Sequence, residues 1–360
     1  MPEYRHDPLN GRMVIVAEER AARPHQFDIT DAAYRGICPF CEGNESLTPK
    51  ETAAFRTADS LPNTPNWQVR VVPNKYPAVV PEVKLETTDG RQQTTADAGE
   101  SQTHFCCHSL PALSGLLQSP GVGLHEVIID TPRHVLSVSE LTPTEVADML
   151  AMYRLRLQML RTGSRWAFVQ IFKNVGAAAG ASLPHSHSQL VAMPFLPPSL
   201  LNMLSQAEDY TRQHADCFWC RCLKHEIQTG ERLVEETEHF AALCPFVSRF
   251  AGEIEIYPKT HESGFEQLDV SLLAELAELF RRTIIRLETA VSWMKSPLAY
   301  NIVLNTAPFR FDRDVFSCFH WHFSILPSLA RAAGFEWGSG LHINPISPEQ
   351  AARRFREALL

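Results

Sequence analysis

The chain has 360 residues, 44% of them hydrophobic, with a formal net charge of −8, enough for about two domains and too acidic for the basic face of a nucleic-acid-binding protein. No apolar run is long enough to span a bilayer, and the opening Met1-Pro-Glu-Tyr-Arg-His-Asp7 lacks the apolar core of a signal peptide, so no membrane role is expected. Nine cysteines are an odd number, and in a cytoplasmic protein thiols and metal ligands are expected in place of disulfides.

The first element with a chemical signature is Cys38-Pro-Phe-Cys41, two thiols spaced to face one tetrahedral ion. Alone it is ambiguous between metal, redox chemistry and chance. The stretch from about Leu85 to His104 is polar and rich in Thr, Gln and Asp, and reads as a mobile loop. Glu126-Val-Ile-Ile-Asp130 reads as a strand that runs into Thr-Pro-Arg-His134. Thr142-Pro-Thr-Glu145 is a capping box with Pro at the first helical position. Met149, Met152, Leu155 and Met159 carry that helix's apolar face to a stop at Gly163. The strand Ala167–Asn174 follows, then a glycine-bounded loop, Gly176-Ala-Ala-Ala-Gly180, and the run Ser182-Leu-Pro-His-Ser-His-Ser-Gln189. On an extended backbone His185, His187 and Gln189 point to one face. Two imidazoles and a carboxamide beside exposed backbone amides suit metal binding, or attack on phosphorus with an oxyanion held close. For a lone His-x-His the simpler reading is a half-buried polar strand.

The rest of the chain argues for chemistry. Phe195-Leu-Pro-Pro-Ser199 reads as a junction that divides 1–196 from 197–360. Beyond it the same order returns: Cys217-Phe-Trp-Cys220, the strand Glu253–Tyr257, Pro-Lys-Thr-His261, a helix, the strand Tyr300–Asn305, then His320-Trp-His322. In this helix Asp269 is the expected cap, and Leu272, Leu276, Leu279 and Ile284 the buried face. A third helix opens with the capping box Ser347-Pro-Glu-Gln350. A duplicated unit accounts for this order, and its length implies two fused domains, not a solenoid. Cys106, Cys107, Cys222, Cys244 and Cys318 have no partner pattern and read as ordinary thiols. Strands that alternate apolar and polar residues suit antiparallel sheets with helices packed on one face, an α+β protein.

Read together, the motifs resemble the galactose-1-phosphate uridylyltransferase family of the histidine-triad superfamily, along nearly the whole chain. Pro8-Leu-Asn-Gly11, Val14-Ile-Val16 and Arg20-Ala-Ala-Arg23-Pro24 are similar to the family's N-terminal motif. Cys38–Cys41, Arg70-Val-Val-Pro-Asn-Lys75-Tyr-Pro77 and Thr131-Pro-Arg-His134 follow in family order, and His185–Gln189 takes the place of its His-Pro-His-Gly-Gln signature.

The resemblance implies two tandem histidine-triad-like domains, the first catalytic. It implies transfer of a nucleoside monophosphate, UMP first, between a nucleotide sugar and a sugar 1-phosphate or phosphate. By position His187 is the nucleophile that carries the nucleotide covalently. Gln189 and Ser182 donate to non-bridging oxygens, and Gly176 and Gly180 let backbone amides approach them. Arg20 and Arg23 clamp a phosphate, as planar guanidinium suits. Asn74, Lys75 and Asn174 complete the implied substrate contacts. Cys38, Cys41, His134 and His185 make one Cys₂His₂ zinc site, whose ligand His185 holds the strand bearing His187. Cys217, Cys220, His261 and His320 make the second; His320 is taken over His322 because it holds the repeat position of His185. His322 then matches His187 without a counterpart of Gln189, so the second half reads as a non-catalytic copy. Family members are usually homodimers.

Two departures matter. His-Ser-His-Ser-Gln replaces His-Pro-His-Gly-Gln, and Gly334–Pro345 lacks the lysine, tyrosine-glutamate and glutamine pattern used on the hexose. The C-terminal stretch resembles more closely the branch that includes plant ADP-glucose phosphorylase. Uridylyl transfer therefore competes with an ADP-glucose phosphorylase, an adenylyltransferase or a dinucleotide phosphorylase. A non-enzymatic zinc-binding adaptor is a third reading, which the acidic balance disfavours.

Overall fold

A computed structural model describes residues 2–6, 13–16, 37–82, 84–86, 92–94, 117–291, 298–311, 314–329 and 333–358. The strands in chain order are β1 (Glu3–His6), β2 (Met13–Val16), β3 (Ala53–Arg56), β4 (Trp67–Pro73), β5 (Lys84–Glu86), β6 (Gln92–Thr94), β7 (Leu117–Pro120), β8 (Leu124–Ile129), β9 (Phe168–Val175), β10 (His187–Met193), β11 (Leu233–Glu236), β12 (Phe240–Leu243), β13 (Ile254–Pro258), β14 (Tyr300–Asn305) and β15 (His322–Pro327). The helices are α1 (Pro143–Thr162), α2 (Pro198–His214), α3 (Phe218–Thr229), α4 (Leu273–Ala290), α5 (Gly334–Ser339) and α6 (Pro348–Glu357).

Ten strands form one antiparallel sheet in the order β11-β12-β13-β15-β14-β9-β10-β8-β4-β3. The order is symmetric about β14 and β9: each half contributes five strands in the same sequence of neighbours. The repeat read from the motifs is thus a repeat of structure. The halves join where β9 pairs with β14, Val175 opposite Tyr300 and Ile171 opposite Leu304. One apolar core runs under both halves, from Val71, Ile128 and Leu190 through Ile302 to Phe323 and Ile325, and α1, α4 and α6 cover it. β1, β2 and β7 form a small separate sheet, and β5 pairs with β6. That ribbon falls in the stretch read as a loop, whose remaining residues lie outside the described ones, as do Arg20, Arg23, Cys106 and Cys107. No described helix is long and apolar enough to cross a membrane.

α1 begins and ends where its sequence signals place it. Thr142 accepts from the Glu145 amide, the Glu145 carboxylate accepts from the Thr142 amide, and Gly163 closes the helix. Met149 and Met152 are buried, but Met159 is 46% exposed; its sulfur accepts from Arg156 Nη1 at 3.3 Å, so it shields an ion pair and does not fill the core. Asp269 caps a 3₁₀ turn, Val270–Leu272, and α4 starts only at Leu273. Leu276, Leu279 and Ile284 are fully buried, while Leu272 is only partly so. Ser347 caps α6 through the Gln350 amide, in one direction only. α2 and α3 are absent from the sequence reading. Pro197-Pro198 reads as a linker, yet Pro198 sits in the first turn of α2, where a missing N–H costs nothing. α2 also buries only the thin stripe of Leu204 and Ala207.

The α1 N-terminus reaches back to the turn before it. Glu145 bonds Arg133 through two oxygens, at 2.8 and 2.6 Å, and accepts from Thr131 at 2.7 Å. Burial opposes its ionisation, but these bonds and the Thr142 amide hold the carboxyl down at about 2. Thr142→Ala is expected to cost about 1 kcal/mol in chemical denaturation by losing the cap. A depressed carboxyl stabilises the fold above its unfolded value and loses that contribution as pH falls toward about 2. Glu145→Gln should therefore flatten the fall in melting temperature between roughly pH 4.5 and pH 2.

Candidate active site and metal centres

The site rests on the ladder between β8 and β10. His187 stands opposite Ile129, Gln189 opposite Val127 and Val191 opposite His125. The alternation sends Ser188 and Leu190 to the helix-covered face, where Leu190 joins the core. His187 and Gln189 go to the other face, against the turn bearing Phe40, whose ring lies 5.2 Å from that of His187. A cavity of about 300 Å³ opens there, lined by Ile37, Phe40, Leu47, Val72 and Val127 on its apolar side and by Asn74, Lys75, Ser182, His187 and Gln189 on its polar side. The apolar wall offers a surface for a planar base, and the polar side offers donors for an anion.

The sequence motifs divide between these roles. Asn74 and Lys75 reach the cavity, whereas Arg70 from the same motif is buried and braces the adjacent turn, bonding Glu51 at 2.9 Å and Thr48 at 2.8 Å. Ser182, His187 and Gln189 come together as expected. Asn174, Gly176 and Gly180 lie beside this wall, not in it. The Asn174 carboxamide oxygen accepts from Asn301 of β14 at 2.8 Å. Gly176 has φ +80°, and a Cβ there would stand 2.9 Å from Ala299 Cβ, so the residue's smallness serves the joint between the halves.

His187 is held in one tautomer. Its Nδ1 lies 2.7 Å from the His185 carbonyl oxygen, so Nδ1 carries the proton and Nε2 the lone pair of the neutral ring. Behind the strand, on the face away from the cavity, Lys173 Nζ donates to Asp130 at 2.6 Å, to Ser186 at 2.7 Å and to the His187 carbonyl at 3.3 Å. Ser188 also donates to Asp130, at 3.1 Å. Ser186 and Ser188 are the residues that depart from the family signature, and both are consumed in this buried network.

His185 turns to the thiols. Its Nδ1 lies 3.5 Å from Cys38 Sγ and 3.6 Å from Cys41 Sγ, and His134 Nδ1 lies 3.3 Å from Cys41 Sγ. A tetrahedral zinc with ordinary bond lengths separates sulfur from nitrogen by about 3.6 Å. The other ring nitrogen of His185 donates to the Thr131 carbonyl at 2.9 Å, which leaves Nδ1 as the ligand atom. The second set repeats this. Cys220 Sγ lies 3.1 Å from His261 Nδ1 and 3.3 Å from His320 Nδ1. His320 Nε2 donates to the Pro258 carbonyl at 2.9 Å and His261 Nε2 to the Phe316 carbonyl at 2.8 Å. In each group of four the donor atoms all lie within 4.8 Å of one another, so each set could hold one metal ion. Burial pushes His185 down to about 4, which keeps the ring neutral. The hydrogen bond from Cys220 holds Cys217 down at about 4, and burial pushes Cys41 up to about 11. Metal entry must displace these remaining thiol protons, so occupancy falls in acid.

The second copy packs its histidine against aromatic rings. His322 repeats the His187 geometry, with Nδ1 3.0 Å from the His320 carbonyl. Its ring is stacked on Tyr257 at 4.8 Å, with Trp219 of α3 at 6.3 Å. Ser324 stands where the first half has Gln189, and donates to Glu255 at 3.5 Å.

Comparison with known proteins agrees with this architecture. The fold, with one Cys₂His₂ set beside a cavity-lining histidine and a second set in the repeat, defines a duplicated histidine-triad-like protein of the nucleotidyl-transferring kind. The sequence model "Galactose-1-phosphate uridyl transferase, N-terminal domain" matches residues 1–197, and the chain belongs to that family. ADP-glucose phosphorylase of Arabidopsis thaliana is 33% identical over 100% of this chain and 93% of its own length. Galactose-1-phosphate uridylyltransferase of Thermotoga maritima is 28% identical over 99% of this chain and 98% of its own. The crystal structure of the Arabidopsis enzyme with bound ADP-glucose superposes with a TM-score of 0.72 at 30% identity, covering 100% of both chains. A uridylyltransferase mutant gives 0.74 at 26%, covering 99% of this chain and 98% of that one.

Elemental analysis of the purified protein is expected to find about two zinc ions per chain. Cys38→Ser should lose one and loosen the strand start that carries His187. Cys217→Ser should lose the other and lower the melting temperature more than the rate, because it lies in the second copy, away from His187. Metal-free wild-type protein with full activity would remove both centres from the account.

Proposed function

We propose that the protein transfers a nucleoside monophosphate from a nucleoside-diphosphate sugar through a covalent intermediate on His187. The observation that carries this reading is the fixed tautomer: Nδ1–H is tied to the His185 carbonyl, so Nε2 is the nucleophile, in a cavity rich in donors. Its lone pair attacks the α-phosphorus. The N–P bond forms as the P–O bond to the β-phosphate breaks, and the sugar 1-phosphate leaves with the electron pair. The positive charge that develops on the ring is shared through Nδ1–H with the carbonyl. Gln189 and Ser182 donate to the non-bridging oxygens. An oxygen of inorganic phosphate or of a second sugar 1-phosphate then attacks phosphorus and returns the electron pair to Nε2. Zinc is the metal we assign to both donor sets; when bound it supplies a tetrahedral anchor for the turns that carry His134 and His185. Arg20 and Arg23 are proposed as phosphate ligands on the family motif alone.

For the base, where the motifs lead us to expect UMP, we put adenine first, a reading supported by the higher identity to ADP-glucose phosphorylase, 33% against 28% for the uridylyltransferase. The uridylyl reading stands second, on the matching family model. We also propose a cytoplasmic homodimer whose chains divide at 196/197. An exposed apolar cluster of Phe335, Trp337, Leu341 and Ile343 at the C-terminal end, with Trp337 80% exposed, supports the dimer.

Intact-mass spectrometry after mixing with ADP-glucose or UDP-glucose in turn should show one added AMP or UMP. The adduct should be acid-labile and absent in His187→Gly, which keeps its fold and zinc. Initial-rate plots should be parallel, as a two-step exchange requires. An unmodified protein with intersecting plots would replace this reading with direct transfer.

A further inference from the structure

His125 lies on β8, beyond the segment that the motifs single out, and is 4% exposed. It shares the cavity face with Gln189, two places along the ladder from its cross-strand partner Val127. Its Nδ1 receives the Ala78 amide at 3.0 Å. Its Nε2 lies 3.0 Å from Gln189 Oε1 and 3.0 Å from Asn74 Nδ2.

The protons follow from these partners. A backbone amide can only donate, so His125 Nδ1 must accept and cannot carry hydrogen. In the neutral ring Nε2 is then the N–H. Of the Gln189 and Asn74 atoms 3.0 Å away only the Gln189 oxygen can accept from it, which sets the Gln189 carboxamide with Oε1 on His125 and its NH₂ group turned to the cavity. Asn74 is fixed independently, because its oxygen accepts from the Tyr76 amide at 2.8 Å. Its nitrogen cannot accept from His125, so the 3.0 Å approach of Asn74 Nδ2 to His125 Nε2 is a contact and not a hydrogen bond. We infer that His125 is a positioning residue that sets the amide orientation of Gln189, so that the Gln189 NH₂ group faces the phosphoryl group undergoing transfer.

The consequence for the reaction is specific. With the opposite orientation Gln189 would aim a carbonyl oxygen at a phosphoryl oxygen, and repulsion would replace stabilisation as charge develops. The same residue pins the Asn74–Ala78 segment: its ring accepts from the Ala78 amide and its backbone carbonyl from the Asn74 amide at 2.9 Å. The inference rests on the transfer reading for its kinetic half alone.

The test therefore has two arms. In protein labelled with ¹⁵N-histidine and free of substrate, the His125 resonances are those lost in His125→Gln. They should show Nδ1 unprotonated and Nε2 protonated; the reverse pattern would overturn the inference whatever the enzyme does. In the second arm, single-turnover labelling by ADP-glucose and by UDP-glucose is followed in His125→Ala, with zinc content and melting temperature as checks on folding. Labelling should slow roughly 10- to 100-fold, as for other outer partners of reactive groups, while the Kd of the nucleotide sugar moves by less than about threefold, the loss falling on the transition state. His125→Gln, which returns an N–H near the same point, should recover most of the rate. In a Gln189→Ala background His125→Ala should add less than about a twofold loss, because the two act as one unit. Equal losses in both backgrounds would show a purely structural role and refute the inference. A wild-type protein that takes no label refutes the transfer reading instead, and the spectrum still decides the tautomer.

Discussion

The ladder between β8 and β10 is the constraint on which the rest depends. It alone brings the Thr131–His134 turn beside His185, sets His187 and Gln189 on the cavity face and delivers His125 to Gln189. A slip of one residue would send every one of these side chains into the helix-covered core. The buried Lys173–Asp130 pair guards the register from behind, since Lys173 also holds Ser186 and the His187 carbonyl. Such a pair adds little net stability over an apolar one, but breaking it leaves a charge stranded in the core. Its role here is to make only one register acceptable.

Spacing and order alone made much of this legible. Two Cys-x-x-Cys pairs, each followed by a strand, a Pro-and-His turn and a His-x-His run, announced both metal sets and the duplication. The signals that failed did so for physical reasons. α2 hides behind Pro-Pro and a stripe of two buried residues, because it packs through a narrow face on the loop cluster of Ala307, Val315 and Phe319. Met159 fits the helical period yet guards an ion pair. His125 gave no local sign: its chemistry comes from a cross-strand diagonal and from an amide 47 positions away in sequence. Asn174 and the glycine loop lie at the seam between halves, outside the described wall of the cavity.

The two copies set the same His-x-His arrangement in different surroundings. His187 and His322 share the same tie to the carbonyl two residues back. One faces a cavity walled by an amide, a hydroxyl and apolar side chains. The other lies under Tyr257 and the Trp219 ring that α3 brings over it. The backbone device is repeated within the chain, and what differs is what packs against the ring. In the second half it remains beside the second set of thiols and imidazoles that could hold a metal ion.

The seam between β9 and β14 has an evolutionary consequence. A single unit of five strands would end in an exposed edge at β9, with a row of unsatisfied amides and carbonyls seeking a strand. The edge that fits best is the one that an identical unit offers, turned through half a revolution. The present chain therefore has the form of an ancestral pair of identical subunits that became covalently continuous. Once both edges were tied into one polypeptide, selection for self-complementarity lapsed. One copy could then surrender its pocket to aromatic packing while the other kept it.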